Sequence, residues 1–195
     1  MNTDQTDQTA RCFGRHAAGD PTYAAYHDTE WGRPIHNDQA LFERICLEGF
    51  QVGLSWRTIL HKREAFRELF ADFDPATVAA FGDADVERLL GDATIIRNRA
   101  KIMACVKGAR ALLAMHDAGE TLDGLIWGFR PSAHRRPTEA TRPDLTPESE
   151  ALAAVLRDRG FRFVGPVNVY ATMQACGIVN DHIVGCRIGD AIDAA

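Results

Sequence analysis

The stretch ADVERLLGDATIIRNRAKIMACVKGARALLAMH, residues 84–116, decides the fold class. Val86, Leu89 and Leu90 recur at helical spacing and stop at Gly91, a residue suited to closing a helix. A brief hairpin over Asp92–Arg97 follows. Ile102, Met103, Val106, Ala109 and Leu113 then mark the apolar stripe of a longer helix. In outline this is a helix-hairpin-helix spanning about residues 85–117. Residues 97–110 within it carry five basic residues and no acid. Such a run is either a solvated helix face or a patch for a polyanion, and charge pattern alone leaves both open.

Outward from that stretch the same period recurs, and no long alternating pattern appears, so the chain reads as all-α. In DQALFERICLEGFQ (38–51), Leu41, Phe42, Ile45 and Cys46 form a stripe behind a cap at Asn37 or Asp38. Ser55 is placed to cap a second helix carrying Trp56, Ile59, Leu60, Phe66, Leu69 and Phe70, and Asp74-Pro75 opens a short third one. Residues 131–147 hold four of the chain's eight prolines and read as an exposed loop joining two helical regions. Thr146-Pro147 starts a helix that stops at Gly160, and GPVNVYATMQACG (165–177) supplies another.

With 195 residues, 46% of them hydrophobic and 25% charged, the chain is one sizeable globular domain or two small lobes. No apolar run reaches bilayer length. Residues 1–10, MNTDQTDQTA, are polar and read as a flexible tail with no secretory signal, which predicts a cytoplasmic protein. Residues 189–195 read as a second tail. The net charge of −5 argues weakly against nucleic acid, although distribution matters more than the sum. Five cysteines are an odd count and too few for a disulfide scaffold, so reduced thiols are expected, with Cys46, Cys105 and Cys176 as small core residues.

The remaining two cysteines raise a metal question. In NDHIVGC (180–186), His182 and Cys186 stand four residues apart, which on a turn of helix would face them the same way, but this is half of a zinc set. In RCFGRHAAGDPTYAAYHDTEWG (11–32), Cys12 and His27 are candidates for the other half, with His16 as a rival. Their spacing is not that of a zinc finger. A four-ligand site would be closed to water and substrate, hence structural.

Five segments together, DPTYAAYHDTEWGRP (20–34), LFERICLEGFQVGLSW (41–56), VERLLGDATIIRNRAKI (86–102), RGFRFVGP (159–166) and MQACGIVNDHIVGC (173–186), resemble the bacterial 3-methyladenine DNA glycosylase I family of the helix-hairpin-helix DNA-repair superfamily. The resemblance runs in family order from about Cys12 to Cys186. It implies an all-α, helix-hairpin-helix glycosylase-like bundle of two lobes, formed by one domain over residues 11–188. Its termini would be joined by one structural zinc ion on Cys12, His27, His182 and Cys186, tying together a lobe made of 11–37 and 147–188. The implied activity is hydrolysis of the glycosidic bond of 3-methyladenine in alkylated double-stranded DNA after base flipping, by a monomeric, monofunctional enzyme without lyase activity.

Under the same resemblance Glu48 is the base-recognising carboxylate and the candidate catalytic group, although by itself it could be a solvated helix charge. Tyr23, Tyr26, Trp31 and Trp56 match pocket positions where each could equally be core. A 3-methylated adenine is cationic, so aromatic faces around one buried carboxylate suit it. Leu54 matches the residue that enters the duplex, or it simply caps the helix after Ser55. The hairpin would grip phosphate through its N–H groups, helped by Thr94, Arg97, Arg99 and Lys101. Asn98 and Arg99 follow the hairpin where wider relatives carry an aspartate, so no carboxylate is offered there.

The chain departs from the family in two places. It reads Cys12-Phe13-Gly14 where tryptophan is usual two residues after the first cysteine, so a pocket wall is missing or Phe13 supplies it. Thr94 stands where glycine is common, which could alter the hairpin. Two rival readings stay open: a noncatalytic zinc-stapled DNA-binding or lesion-sensing module, which has no need of Glu48 among aromatics, and a zinc hydrolase, which needs an open metal position.

Overall fold

The structure is a computed structural model describing residues 12–14, 17–139 and 141–195. Among them every regular element is helical and no strand occurs, as the periodicity predicts. The tail expected over residues 1–10 and the rival ligand His16 lie outside the described residues.

Short-range capping sets most helix starts, because each cap satisfies a donor that the first turn leaves free. Asp20 Oδ1 accepts the N–H groups of Thr22 and Tyr23 ahead of α1 (Pro21–Thr29). Asn37 caps α2 (Asp38–Gln51) and Ser55 caps α3 (Trp56–Leu69). Asp74 precedes α4 (Pro75–Ala79), and α5 (Asp83–Gly91) ends at the predicted glycine. Asn98 Oδ1 accepts the Lys101 N–H at the start of α6 (Arg99–Asp117), so Asn98 is a helix cap. Thr121 caps α7 (Leu122–Trp127), and Thr146 with Ser149 forms a capping box on α8 (Pro147–Asp158). Then come α9 (Pro166–Ala175) and α10 (Arg187–Asp193).

Helix α2 is the hub, packed against α3, α6, α7 and α9, while α4 and α5 lie on α6. Burial on so many sides explains why Leu41, Phe42, Arg44, Ile45, Cys46, Leu47, Glu48, Gly49 and Phe50 are all inside. Cys46, Cys105 and Cys176 are buried as expected. At the end of α9, Gly177 has φ +73°, and a Cβ there would stand 2.6 Å from the Arg33 carbonyl carbon. That close approach lets Ile35 donate its N–H to the Cys176 carbonyl at 3.1 Å, laying the chain after α1 across α9.

Three expectations need correction. Residues 180–186 are not helical; Cys186 is the N-cap of α10, so His182 and Cys186 sit on turns. The expected tail from 189 is largely the rest of α10. The loop over 131–147 is irregular and mostly exposed, as expected, and is docked through Arg136, whose guanidinium donates to the carbonyls of His182 (2.9 Å), Ile183 (2.7 Å) and Cys186 (3.1 Å) and pairs with Asp190 and Asp193. Gly189 makes room for it, since a Cβ there would lie 2.6 Å from that guanidinium.

The third concerns Lys101, grouped with the phosphate-gripping cations. It is buried, and its Nζ donates to the carbonyls of Phe50 (2.8 Å) and Val52 (2.5 Å), which the end of α2 leaves without partners. A hydrogen-bonded ammonium in that position tethers α6 to α2 and does not face solvent. The Asp92–Arg97 hairpin beside it is held by an Asx-turn in which Asp92 Oδ1 accepts the Thr94 N–H at 2.8 Å. Thr94 is absent from the positive-φ residues, so this turn has no need of glycine there.

Lys101→Met keeps the aliphatic stem and deletes the donors. It should cost about 1–3 kcal/mol in urea denaturation, the penalty of orphaned buried carbonyls, while leaving the salt dependence of DNA binding unchanged. A shallower salt slope at full stability would return Lys101 to the phosphate-contacting group.

Candidate active site and metal-ligand cluster

Helices α1, α2 and α3 converge with α9 around a cavity of about 150 Å³. Tyr23, Tyr26, Trp31, Glu48 and Trp56 all line it, so these five sequence-predicted residues are brought together. Phe13 joins them, its ring centroid 4.6 Å from that of Trp31 and 4.9 Å from that of Tyr23. The position that departs from the family pattern therefore still presents an aromatic ring to the cavity. A space of this size accepts a six-membered aromatic ring, and further room opens toward solvent.

Glu48 is the acid of this cavity and is 5% exposed. Burial pushes its carboxyl up to about 7, and the Arg44 guanidinium pulls it part of the way back. Arg44, one helical turn earlier on α2, is itself buried. Its Nη1 donates to the Tyr26 hydroxyl at 3.1 Å, and its guanidinium lies 4.9 Å from the Trp56 ring centroid and 5.3 Å from that of Tyr26. The cation is thus spent on aromatic faces and a hydroxyl, and Glu48 retains unfilled acceptor capacity. The Trp56 Nε1 and the Arg142 Nε and Nη2 are buried without acceptors among the described residues, and both side chains line the same space.

Sequence reading missed Arg44, Gln51, Arg142, Ala171 and Gln174. Arg44 carried a signal, since a residue four before Glu48 shares its helix face. Arg142, Ala171 and Gln174 come from distant segments and carried none.

Beside the cavity, Cys12, His27, His182 and Cys186 bring four buried ligand atoms within 4.8 Å of one another. His27 Nε2 lies 3.2 Å from His182 Nδ1, and Cys186 Sγ lies 3.5 Å from His182 Nδ1 and 3.6 Å from His27 Nε2. Cys12 Sγ is 3.9 Å from His182 Nδ1. Tetrahedral zinc with ordinary N and S bond lengths would space such ligands by about 3.3–3.8 Å, so the donor set fits that ion. The outer nitrogens are also engaged: His27 Nδ1 is 2.8 Å from Asp28 Oδ1, and His182 Nε2 is 3.0 Å from the Trp31 carbonyl. These partners leave the inward nitrogens as acceptors. The two thiols are unequal: the Cys12 hydrogen bond pulls Cys186 down, and the same bond and burial push Cys12 up.

Of the remaining predicted residues, Leu54 is 43% exposed on the turn between α2 and α3, and Thr94, Arg97 and Arg99 are exposed on the hairpin or at the start of α6. Arg99 pairs with Glu87 at 2.5 Å. Lys62 donates to the carbonyls of Ala93 and Thr94 at 3.1 and 2.8 Å, holding the hairpin to α3. A larger cleft of about 730 Å³ beside Arg33, Trp127 and His134 has one acidic side chain, the exposed Asp193, and lacks the buried carboxylate.

Fold and site define a class: an all-helical protein whose aromatic cavity, floored by an acid, is shaped for a flat ring bearing positive charge. The methyladenine glycosylase family matches residues 16–189. The chain is 51% identical over 170 residues to the DNA-3-methyladenine glycosylase 1 of Escherichia coli (strain K12), covering 86% of this chain and 91% of that one. It is 45% identical over 167 residues to the DNA-3-methyladenine glycosylase of Haemophilus influenzae, covering 84% and 90%. Among solved structures, the 3-methyladenine DNA glycosylase I of Staphylococcus aureus superposes with a TM-score of 0.87 at 32% identity, over 93% of this chain and 97% of that one. A crystal structure of 3-methyladenine DNA glycosylase I gives 0.84 at 50% identity, over 87% and 94%. The chain belongs to the methyladenine glycosylase family.

Glu48 also makes stability depend on pH. Its folded pKa lies above the ordinary value of 4.5, so ionisation favours the unfolded chain, and stability falls as pH rises from about 4.5 through about 7. Glu48→Gln removes the charge and should be more stable than the native protein above pH 7, by up to about 3 kcal/mol. The two should converge below pH 4.5, as read by urea denaturation across that range. A constant difference at all pH values would mean that Glu48 ionises freely.

Proposed function

We propose that this protein is a DNA repair N-glycosylase that hydrolyses the glycosidic bond of 3-methyladenine in alkylated DNA. The observation that carries the reading is Glu48, a buried carboxylate inside an aromatic cavity, in a chain of the methyladenine glycosylase family. A 3-methylated adenine flipped from the duplex brings positive charge and N–H donors into a space where Glu48 feels Arg44 only through Coulombic attraction and no donor meets it among the described residues. The base therefore satisfies the carboxylate that the fold leaves strained. Tyr23, Tyr26, Trp31 and Trp56 offer ring faces and exclude water.

The reaction asks little proton transfer of the enzyme, because methylation has already made the base a good leaving group. The bond from the sugar carbon to the base breaks, its electron pair neutralises the cationic ring, and water adds to the sugar with loss of a proton to solvent. Glu48 stabilises positive charge as it develops on the sugar. A monofunctional course is supported by the lysines: none lines the cavity among the described residues, Lys101 is held by two carbonyls and Lys62 by the hairpin.

The α5–hairpin–α6 segment acts as a helix-hairpin-helix on the duplex. With Lys62 occupying carbonyls and Asp92 taking the Thr94 N–H, the N–H groups of Ala93, Ile96 and Arg97 have no acceptor among the described residues and suit a phosphate. Arg97 adds charge. Leu54 fills the space left by the flipped base in the double helix. Cys12, His27, His182 and Cys186 hold one structural zinc ion, which when bound supplies no chemistry beyond tying residues far apart in sequence, and the paired lobes pack about the cavity. One chain furnishes both cavity and hairpin, which suits a monomer. No helix among the described residues is long and apolar enough to cross a membrane, and free thiolates for the metal suit the cytoplasm.

Methylated DNA incubated with the protein should release 3-methyladenine, identified chromatographically, and leave abasic sites without strand cleavage. Glu48→Gln should slow release while barely changing affinity for undamaged duplex. A protein that binds methylated DNA yet frees no base would favour a noncatalytic lesion sensor. For the metal, Cys186→Ser should bring zinc content toward zero by elemental analysis and lower Tm, and stoichiometric zinc in that variant would remove the assignment.

A further inference from the structure

Asp181 is fully buried and has no part in the chemistry above. Its Oδ2 accepts from the Tyr170 hydroxyl at 2.7 Å and from Gln174 Nε2 at 2.7 Å, and its Oδ1 faces His134 Nε2 at 2.9 Å. Gln174 sits on the last turn of α9 and lines the same cavity as Glu48. A carboxylate only accepts hydrogen bonds, so the amide must turn its NH₂ toward Asp181. The opposite orientation would set two acceptor oxygens face to face at hydrogen-bond distance in a buried environment, at a cost comparable to a lost buried hydrogen bond. With one Nε2 hydrogen engaged by Asp181, Oε1 is the acceptor that Gln174 has left for the cavity. No donor meets that oxygen among the described residues.

We propose that Asp181 fixes the amide of Gln174 so that Oε1 is an acceptor for the exocyclic amine of the flipped base, and that this pair selects adenine-type over guanine-type lesions. The proposal rests on the base-excision reading and adds to it a determinant of base choice. The chemical difference is on the purine edge: adenine carries an N–H₂ donor at the position where guanine carries a carbonyl acceptor. An amine has two hydrogens, so one directed to Glu48 leaves the second for Gln174. A guanine carbonyl would meet Oε1 as acceptor against acceptor, and the amide cannot turn over to relieve it while Asp181 holds its NH₂. A site built this way rejects the wrong base through unpaired polar groups, which discriminates far better than pocket size. Gln174 is the specificity residue and Asp181 a positioning residue acting through it.

The test measures initial rates of release of 3-methyladenine and 3-methylguanine from one methylated DNA preparation, for the native protein, Gln174→Met and Asp181→Asn. Gln174→Met keeps length and removes both amide groups. It should reduce the adenine-to-guanine rate ratio about tenfold, mostly through the adenine term. Asp181→Asn allows the amide to turn and should lower the ratio less, because the carbonyl orientation remains accessible. A ratio unchanged in Gln174→Met, or both rates falling together, overturns the proposal, and the methionine variant decides the matter even if Asp181→Asn fails to fold. Native protein that releases neither base sinks the excision reading instead. Calorimetric titration of the two free bases into native protein and Gln174→Met then still tests the acceptor: a preference for the amine-bearing base that shrinks in the variant supports it, and an equal preference or no binding of either base overturns it.

Discussion

Helix α2 is buried nearly all round and yet carries Arg44 and Glu48, opposite charges one turn apart on its inner face. Much of the structure is arranged around that burden. Burying an ion pair usually costs more in lost hydration than its attraction returns unless hydrogen bonds complete it. Here they complete one half. Arg44 spreads its charge over Tyr26 and Trp56 and bonds the Tyr26 hydroxyl, whereas Glu48 receives Coulombic help without a donor among the described residues. The protein thus holds a carboxylate whose ionisation it resists, inside an aromatic cavity. Stability given up at a cavity residue is a trade common to binding sites.

The metal-ligand cluster and the cavity are two sides of one wall. Cys12 faces the cluster while its neighbour Phe13 faces the cavity; His27 faces the cluster while Tyr26, adjacent on α1, faces the cavity. Trp31 belongs to both, since its ring lines the cavity, packs 4.5 Å from the His182 ring and its carbonyl meets His182 Nε2. Arg136 steadies the far side by gathering three carbonyls of the turn that bears His182 and Cys186. Anything that tightens the four ligands would therefore tighten the aromatic wall as well. A closed, structural site can govern substrate binding in this way without touching substrate.

What the sequence made legible was local. Caps at Asn37, Ser55, Asp74 and Thr146 act within three residues, so their chemistry is written beside the helices they start. The five pocket residues and four ligands were legible for a different reason, the long family-like motifs around them; spacing alone left each open. Lys101 misled because a lysine in a basic run looks solvated, and only the end of α2, some fifty positions away, reveals the carbonyls it serves. α10 reads as a tail for the same reason, since Arg136, which gathers Asp190 and Asp193, lies some fifty positions away.

The corrected role of Lys101 changes how an acidic protein can hold DNA. With a net charge of −5 and one expected cation buried, the side-chain charge available beside the hairpin is small: Arg97 is free to face solvent and Arg99 is shared with Glu87. Backbone dipoles offer another source. Lys62 neutralises the carbonyl side of the hairpin at Ala93 and Thr94, which leaves its N–H side as the unsatisfied end. Such groups bond a phosphate with fixed geometry but displace few counterions beyond those of the phosphate itself. Under the proposed reading, positioning would come from the backbone and from the exposed Leu54, with long-range attraction a minor part. For an enzyme that must release many undamaged sites to find one lesion, weak capture with accurate placement is the useful combination, and under the proposed reading the choice of base would fall to the aromatic cavity and Glu48.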